Sequence, residues 1–343
     1  MSKVCNIDVP IAVNFFARPD TLEQVLKCIR LVKPTRLYLI ADGPRVNVPS
    51  DIEVCKKCQK IAEKIIDWDC KVVKIYNDTN KGLFETYFFS MKQVFEHEDF
   101  CIFMEDDVVA TVSFFKYCKE LLEYYKDDLR FSFVTGINNM PDGIHHGVDS
   151  DYFFSGEGAL QAYGLWKRTF DSMNMQFLNS KYAVSASKKL AKKIKPGYEK
   201  RIAKYEENLL WQGHQPHVEI YKNLLRILEN QICIVPKKNL VTNIGLSSAS
   251  SHSADDIRKL PKATWYVHNT PVYELDFPLK KPNYVISDVD YEERWRYLTA
   301  WGQPLLRNAR RFEALVRHLI YGDAKRVIQK LKLVLSGKYI FDE

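Results

Sequence analysis

Short apolar runs alternate with amphipathic segments along the first part of the chain. The runs that predict buried strands are residues 9–16, 36–41, 71–76, 100–104 and 131–135. Between them, apolar side chains recur at helical spacing. This spacing predicts a first helix capped by Asp20 or Thr21, and further helices near 51–66, after the polar loop 77–82 and over 111–126. Strands that alternate with helices predict a mostly parallel α/β sheet with helices on both faces.

The pattern changes after residue 135. Residues 136–164 are rich in Gly, Asp, His and Ser, and we interpret them as a long irregular stretch, which is usually functional. A charged helical pattern covers 181–229. A late strand is expected over 232–236 and a polar loop over 239–253.

Two basic amphipathic helices are predicted in the C-terminal tail. Apolar residues recur at helical spacing over 305–320 and over 327–335, and arginines and lysines flank both stripes. The formal net charge is +7, and residues 294–343 carry the whole surplus. This arrangement favours contact with an anionic membrane surface. The alternative is a pair of helices packed on the body of the protein or on a second subunit, which would make a homo-oligomer.

Composition narrows the class of protein. Hydrophobic residues make up 46% of the chain and aromatic residues 13%, which is typical of a folded globular protein. No apolar run approaches the ~20 residues of a membrane-spanning helix, and the first residues lack a secretory signal, so we expect a cytoplasmic location. The eight cysteines are scattered and are expected to be reduced. Cys55 and Cys58 have the spacing of metal ligands, but no second pair completes a zinc site.

The tripeptide Glu105-Asp106-Asp107 is the strongest chemical signal. It follows directly on the apolar run 100–104, at the carboxyl end of a predicted strand, where α/β sheets bind ligands. Three adjacent carboxylates repel one another, and a divalent cation such as Mn²⁺ or Mg²⁺ prefers such oxygen ligands. The alternative is a solvated turn with an aspartate at the start of a helix.

Five segments, taken in order, resemble those of one enzyme family. They are Asp42-Gly43-Pro44-Arg45, Asn80-Lys81-Gly82-Leu83, Phe103-Met104-Glu105-Asp106-Asp107-Val108, residues 164–171 and residues 236–245. Their order and spacing resemble GT-A-fold glycosyltransferases, close to bacterial family 2 enzymes and to N-acetylglucosaminyltransferase I. The resemblance covers about residues 9–253.

The resemblance implies a GT-A (Rossmann-like) domain over 1–255. Its donor half would span about 1–135 and its acceptor half about 136–255, followed by a C-terminal extension over 256–343 with the basic helices. It also implies transfer of a sugar from a nucleotide diphosphate donor to an acceptor hydroxyl.

The family's acidic triplet assigns a role to each carboxylate. Its last acid binds the metal, which maps onto Asp107; the middle acid, Asp106, would approach the ribose; Glu105 would lie behind and orient the loop. A divalent metal, Mn²⁺ or Mg²⁺, would neutralise the growing charge on the diphosphate leaving group.

Other donor contacts follow from the same resemblance. Asp42 ends a strand where the family holds the nucleobase, and its carboxylate can accept the imide N–H of uracil; the alternative is that Asp42 only shapes the turn. Asn80 and Gly82 line the donor loop. Arg18 and Arg45 are candidate phosphate contacts, with ordinary surface arginines as the alternative.

A histidine and a catalytic base complete the expected site. His252, in a late loop, is expected to reach the metal or the diphosphate, and the alternative is a surface histidine. An inverting transferase needs a carboxylate to take the proton of the acceptor hydroxyl. Glu219 is the first candidate, although Val218 stands where the family has a tryptophan. Glu157 and Asp171 compete with it.

The sequence therefore predicts a metal-dependent, inverting glycosyltransferase that favours a UDP-sugar. Its acceptor would be a bacterial surface glycan or a lipid-linked glycan, and the basic tail would place the enzyme as a peripheral protein on the inner face of the membrane. The alternatives are a sugar nucleotidyltransferase and a catalytically inactive glycan- or nucleotide-binding module. Nucleic acid is not an expected partner, because the basic helices carry few aromatic residues for base stacking.

Overall fold

An eight-stranded sheet forms the centre of the computed structural model, which describes residues 7–203, 206, 218–246, 256–268, 270–300 and 302–321. Its strands follow the spatial order β3-β2-β1-β4-β8-β6-β9-β7. A separate pair of strands, β5 and β10, lies outside this sheet. The strands are β1 (Ile11–Phe15), β2 (Arg36–Ala41), β3 (Lys71–Tyr76), β4 (Phe100–Glu105), β5 (Val108–Ala110), β6 (Phe131–Thr135), β7 (Tyr152–Ser155), β8 (Ala162–Trp166), β9 (Ile232–Pro236) and β10 (Val241–Asn243).

The pairing of the strands confirms the predicted α/β class. Strands β3, β2, β1 and β4 are parallel, and β6 pairs in parallel with β9. Strand β8 runs antiparallel between β4 and β6, and β7 runs antiparallel at the edge. The sheet is therefore mostly parallel, with two reversed strands.

Helices cover both faces of this sheet, as predicted. Along β2, Leu37 and Leu39 join one buried cluster with α1, α2 and α4, whereas Tyr38 and Ile40 join another with α3. This alternation is the two-residue period of a strand that is buried on both sides. The helices are α1 (Pro19–Val32), α2 (Ser50–Ile65), α3 (Leu83–Phe95), α4 (Val112–Tyr124), α5 (Lys167–Asp171), α6 (Met175–Leu178), α7 (Lys181–Ile194), α8 (Val218–Glu229), α9 (Val289–Thr299) and α10 (Pro304–Ile320).

The chain reverses its direction of winding beside β1. It moves outward from β1 through β2 to β3 and then returns to β4 on the other side of β1. The loops that follow β1 and β4 leave the carboxyl edge of the sheet side by side at this switch point, and we call the space outside them the crevice. Such a switch point is the usual ligand position in open α/β sheets.

Three local expectations were wrong. The stretch 136–164 is not irregular throughout, because β7 and the start of β8 lie within it. Helix α1 begins at Pro19, with Arg18 at the cap position, so neither Asp20 nor Thr21 caps it. Proline suits this first position because it has no N–H to leave unpaired. The loop 239–253 contains β10, which pairs antiparallel with β5.

Part of the predicted C-terminal extension packs on the sheet. Leu275 and Leu279 belong to the same buried cluster as α1 and α4, and Tyr291 of α9 is fully buried in the opposite cluster. The apolar stripe 305–320 forms helix α10, as predicted. The second stripe, 327–335, lies outside the described residues, and the division of the chain at residue 255 stays a prediction.

Candidate functional site

Two buried carboxylates and one arginine meet at the switch point. Asp106 and Asp107 follow β4 directly, and each is only 8% exposed. Nη1 of Arg18 lies 2.5 Å from Oδ2 of Asp107 and 3.5 Å from Oδ1 of Asp106. The backbone N–H of Phe16, just past β1, donates to Oδ2 of Asp106 at 3.3 Å. The loops after β1 and β4 are thus joined through the acidic pair, and three residues predicted for the site are in contact.

The electrostatics of this pair favour a bound cation. Burial raises the pKa of the Asp106 carboxyl to about 7; Arg18 opposes this rise and the neighbouring Asp107 adds to it. Two adjacent carboxylates in a poorly solvated position repel each other, and a proton or a nearby positive charge relieves that repulsion. Arg18 supplies that charge here, so the acidic turn is not the solvated turn of the alternative interpretation.

Asp107 is held from behind by the β5–β10 pair. Nδ2 of Asn243 donates to its Oδ1 at 3.1 Å, and the N–H of Ile244 donates to its backbone carbonyl at 2.8 Å. Oδ1 of Asn243 accepts the N–H of Gly245 at 2.8 Å and lies 3.2 Å from Nδ1 of His268. The other carboxylate oxygen of Asp107, Oδ2, contacts Arg18 and lies beside the backbone of Gly245.

His268 is the histidine that the described structure brings to the acidic pair. Burial lowers the pKa of its imidazole, while the charge of Asp107 opposes that change. A neutral imidazole is the form that can bind a metal or accept a hydrogen bond. The sequence carried no signal for His268, because its position depends on a chain segment more than 150 residues from Asp107. The expected histidine, His252, lies outside the described residues.

Asp42 organises the second cluster of predicted residues. Its Oδ1 accepts hydrogen bonds from the N–H of Gly43, Nδ2 of Asn77 and the N–H of Lys81 at 2.9–3.1 Å. Its Oδ2 accepts from Nδ2 of Asn80 at 2.8 Å and from the N–H of Gly82 at 3.0 Å. Asp42 therefore fixes the loop 77–82 against the end of β2. These contacts match the alternative that Asp42 shapes its turn, and the nucleobase contact stays a prediction.

We expect Asp42→Asn to destabilise the protein by about 1–3 kcal/mol, since it takes an acceptor away from Nδ2 of Asn80 and from the N–H of Gly82. The amide Nδ2 of the variant would face Nδ2 of Asn80 and the N–H of Gly82, which are both donors. Urea unfolding measures the change. Asp78→Asn, at an exposed position of the same loop, is the matched control. A stability within about 0.5 kcal/mol of the control would contradict this account.

The other predicted donor contacts near Asp42 are Asn80, Gly82 and Arg45, and each has a different environment. Nδ2 of Asn80 also donates to the carbonyl of Gly43 at 3.1 Å, so this side chain is already engaged in the loop. Gly82 has φ +81°, and a Cβ there would meet no atom within 4 Å, which leaves open space beside its backbone. Arg45 is 55% exposed, pairs with Asp51 at 2.6 Å and lies over the ring of Phe16. Its contacts are those of a surface arginine.

Glu105 is the last residue of β4 and faces away from the acidic pair. It lies opposite Asn14 of β1 in the sheet register, and its N–H donates to the carbonyl of Gln161 at 3.3 Å. Burial, aided by the charge of Glu105, raises the pKa of the buried Tyr87 hydroxyl. Glu105 thus lies among buried polar groups behind the turn, and its role in orienting the loop stays a prediction.

The candidates for the base are not equivalent. Glu157 lies on the loop between β7 and β8, is 13% exposed and pairs with Nζ of Lys195 at 2.8 Å. Asp171 forms a half-exposed ion pair with Lys167 at the end of α5, which makes it a surface residue. Glu219 belongs to the first turn of α8, but its side chain lies outside the described residues.

The acidic pair offers a divalent metal two carboxylates, so water or a bound phosphate would have to supply the remaining ligands. Within the described residues, no three His, Cys, Asp or Glu side chains form a group that could hold a metal ion. Mg²⁺ and similar ions are commonly bound by one or two carboxylates together with substrate phosphates and water. Because Nη1 of Arg18 occupies a position between both carboxylates, a cation at that point fits the donor set.

Comparisons with known proteins gave distant structural matches alone. No family model and no curated protein matches the chain. A mannosyltransferase, PcManGT, from Pyrobaculum calidifontis in complex with GDP-Man and Mn²⁺ is 9% identical over 65% of this chain and 69% of its own, with a TM-score of 0.32. The apo-form glycosyltransferase GlyE of Streptococcus pneumoniae TIGR4 is 9% identical over 88% of this chain and 63% of its own, with a TM-score of 0.33. The inositol-1-phosphate CTP transferase of T. maritima is 9% identical over 70% and 90%, with a TM-score of 0.35. Matches at this level decide neither the reaction nor the substrate.

Proposed function

We propose that this chain is a metal-dependent glycosyltransferase that moves a sugar from a nucleotide diphosphate sugar to an acceptor hydroxyl. One observation carries the proposal: Arg18, Asp106 and Asp107 converge at the switch point of the sheet. A crevice there that offers both an arginine and paired carboxylates suits a ligand with phosphate and a divalent cation together.

In the proposed reaction, each of these side chains has a distinct role. A divalent ion, when bound, neutralises the charge that develops on the diphosphate leaving group. Asp107, with Asp106 beside it, would hold that ion, and Asp106 would also approach the ribose. Arg18 would contact the diphosphate. Glu219 is our first candidate for the base and Glu157 the second; Glu157 would have to part from Lys195 to accept a proton.

A UDP-sugar is the donor we favour, and the loop around Asp42 sets a condition on it. The five donors on Asp42 leave little capacity for the imide N–H of uracil. The side-chain amide of Asn80 is the donor that can rotate away, since the other contact to Oδ2 comes from the backbone N–H of Gly82. We therefore propose that Asn80 releases Oδ2 of Asp42 and that the imide N–H of uracil takes its place.

The alternative of a sugar nucleotidyltransferase fits the turn after β1 less well. Such enzymes hold a triphosphate with backbone N–H groups of a glycine-rich loop. Here the turn has no glycine, and the N–H of Phe16 is committed to Asp106. Helix α1 begins with proline, which has no N–H to offer.

Titration calorimetry with UDP, GDP, CDP and dTDP, each with and without Mn²⁺, tests the proposal. We expect one of the four to bind and its affinity to rise at least about tenfold with the metal, because the ion links diphosphate and carboxylates. The matching nucleotide sugars then identify the donor. Binding of none of the four in the presence of metal would reject the proposal. Preferential binding of a nucleoside triphosphate, with release of pyrophosphate, would favour the nucleotidyltransferase.

We further propose that helix α10 docks the enzyme on an anionic lipid surface that carries its acceptor. None of the described helices has the length and apolarity needed to cross a bilayer. One face of α10 is instead apolar and open: Leu305 is 85% exposed, and Phe312 and Ile320 are each 67% exposed. An amphipathic helix with such a face suits the boundary between lipid headgroups and acyl chains.

Two basic residues of α10, Arg310 and Arg317, bind other parts of the protein. Arg310 donates to backbone carbonyls at the end of α9, and Arg317 donates to Glu313 and to the carbonyl of Arg258. These two arginines are turned toward the protein and do not flank the apolar face. Lipid contact through α10 therefore relies more on apolar burial than on charge.

We expect Leu305→Asp/Phe312→Asp to reduce binding to phosphatidylglycerol vesicles at least about tenfold, since it places two charges in the apolar face. Co-sedimentation measures it, and Val46→Asp/Leu129→Asp, at two other exposed apolar positions, is the matched control. Point changes are preferable to deletion from residue 294, which would remove the buried Leu298. Absence of vesicle binding by the unmodified chain rejects the proposal. A dimer in gel filtration that the variant dissociates would assign the face to a second copy.

A further inference from the structure

Arg18 occupies the point where the cation of the acidic pair would lie. One guanidinium nitrogen, Nη1, is within 3.5 Å of an oxygen from each carboxylate, and the three side chains are only 11–20% exposed. Among the described residues, Asp106 and Asp107 are the partners of this guanidinium. A metal ion binds carboxylate oxygens at roughly 2.0–2.6 Å. Such an ion and Nη1, which lies 2.5 Å from Oδ2 of Asp107, exclude each other.

We infer that Arg18 is an internal counter-ion that blocks the metal position until a nucleotide diphosphate draws it away, so that metal and diphosphate bind cooperatively. The inference rests on the proposed function, because it takes the ligand of the crevice to be a nucleotide diphosphate. It adds a role for Arg18 in the resting protein, before any donor is present.

The contacts of Asp107 and Arg18 indicate which of these two residues moves when their ion pair opens. Asp107 is held at Oδ1 by Asn243 and at its carbonyl by Ile244, and Gly245 lies close against its carboxylate. The backbone of Arg18 is also fixed, since its carbonyl accepts from the N–H of Leu22 at 3.1 Å. The long side chain of Arg18 is therefore the mobile part. Its guanidinium can exchange a carboxylate for a diphosphate, which offers it paired oxygens in a matching geometry.

The fraction of time for which Arg18 leaves the carboxylates determines how far it lowers the apparent metal affinity. If the ion pair leaves the carboxylates open for about 1–10% of the time, the apparent metal affinity of the resting protein falls by about 10- to 100-fold. A diphosphate that captures Arg18 removes this loss. Thermodynamic reciprocity requires the metal to raise the affinity for diphosphate by the same factor.

Mn²⁺ titration of Arg18→Gln, followed by the paramagnetic resonance of free Mn²⁺ and without any nucleotide, tests the inference. We expect the variant to bind Mn²⁺ at least about tenfold more tightly than the unmodified protein, since glutamine carries no charge to compete. A second titration, with saturating diphosphate of the nucleotide that binds, measures the coupling factor, which should fall at least about tenfold in the variant. Arg18→Lys keeps the charge and should bind Mn²⁺ weakly. Arg130→Gln, which removes an exposed arginine paired with Asp128, is the control for net charge.

Several results would overturn the inference. One is an Mn²⁺ affinity of Arg18→Gln that equals or falls below that of the unmodified protein. A second is a coupling factor below about three in the unmodified protein. This result overturns the inference even if the variant does not fold. If the unmodified protein still binds a nucleotide diphosphate with metal, the proposed function survives either result. Binding of neither metal nor nucleotide by the unmodified protein rejects the proposed function and the inference together.

Discussion

Asp107→Asn is expected to abolish metal-dependent binding of the nucleotide diphosphate. The substitution keeps the shape of the side chain but removes the negative charge that would hold the cation. Its amide group would also face Arg18, because Oδ1 is already used by Asn243. We expect the affinity in the presence of Mn²⁺ to fall at least about 100-fold. Sugar transfer should fall about 1,000-fold or more, given that a bound metal contributes several kcal/mol to such a transition state.

The same calorimetric titration measures this loss, and Asp69→Asn provides the matched control at an exposed position. The melting temperature separates a lost ligand from a lost fold. It should fall by a few degrees at most, since Arg18 keeps Asp106 as a partner at 3.5 Å and the substitution removes one of two carboxylates that repel each other. If Asp107→Asn retains metal-dependent binding within about threefold of the control, the acidic turn does not hold the metal, and the transferase proposal loses its main support.

Much of the sheet could be predicted from the sequence alone. The predicted bounds of β2, β3, β6 and β9 coincide with those observed. Each of these strands is a short, mostly apolar or β-branched run that ends at a polar or turn-forming residue, so local pattern and burial agree. The mostly parallel order follows from the helices between them, because a parallel pair needs a long crossover.

The strands that were missed depend on distant partners. Strand β7 lies between Asp151 and Gly156, and β8 contains Gly164, so both were taken as part of a glycine- and aspartate-rich stretch that looked irregular. Antiparallel pairing with β9 and with β4 and β6 stabilises them. Likewise β5 and β10 have three residues each and form only because they meet across more than 130 positions of the chain. Local propensity does not record such pairings.

The residues of the candidate site also fall into those that a local sequence pattern identified and those that only distant contacts bring in. Its acidic residues were identified from their place at the end of an apolar run, and the structure puts them at the switch point. Arg18 was a candidate phosphate contact, which stays a prediction, and the structure adds its ion pairs with Asp106 and Asp107. Asn243 and His268 were not assigned, since their proximity to Asp107 arises from the β5–β10 pairing and the chain beyond it. A sequence can show which side chains are chemically suitable, but tertiary contacts decide which of them meet.

Gly245 offers the most direct test of these tertiary contacts, because it lies against the carboxylate of Asp107. A Cβ at this position would lie 2.1 Å from Oδ2 of Asp107, whereas real Cβ contacts essentially never fall below 3.0 Å. Asp107 cannot move aside cheaply, because Asn243 and Ile244 hold its other oxygen atoms. Gly245→Ala should therefore displace the carboxylate from the crevice and weaken metal-dependent nucleotide binding at least about 30-fold, since about 2 kcal/mol corresponds to that factor.

A methyl group tests the position of Asp107 without changing any charge, which distinguishes it from the substitutions of Asp107 itself. The control is Gly147→Ala, where the added Cβ would approach the ring of His145 at 3.1 Å, away from the acidic pair. Calorimetry with the cognate diphosphate and Mn²⁺ measures the loss, and thermal unfolding should show a drop of a few degrees, typical of local overpacking. Should Gly245→Ala bind within about threefold of the Gly147→Ala control, the metal would not depend on Oδ2 of Asp107. The opposite result, lost binding in a folded protein, would locate the cation at that oxygen and make the β5–β10 pair a necessary part of the site.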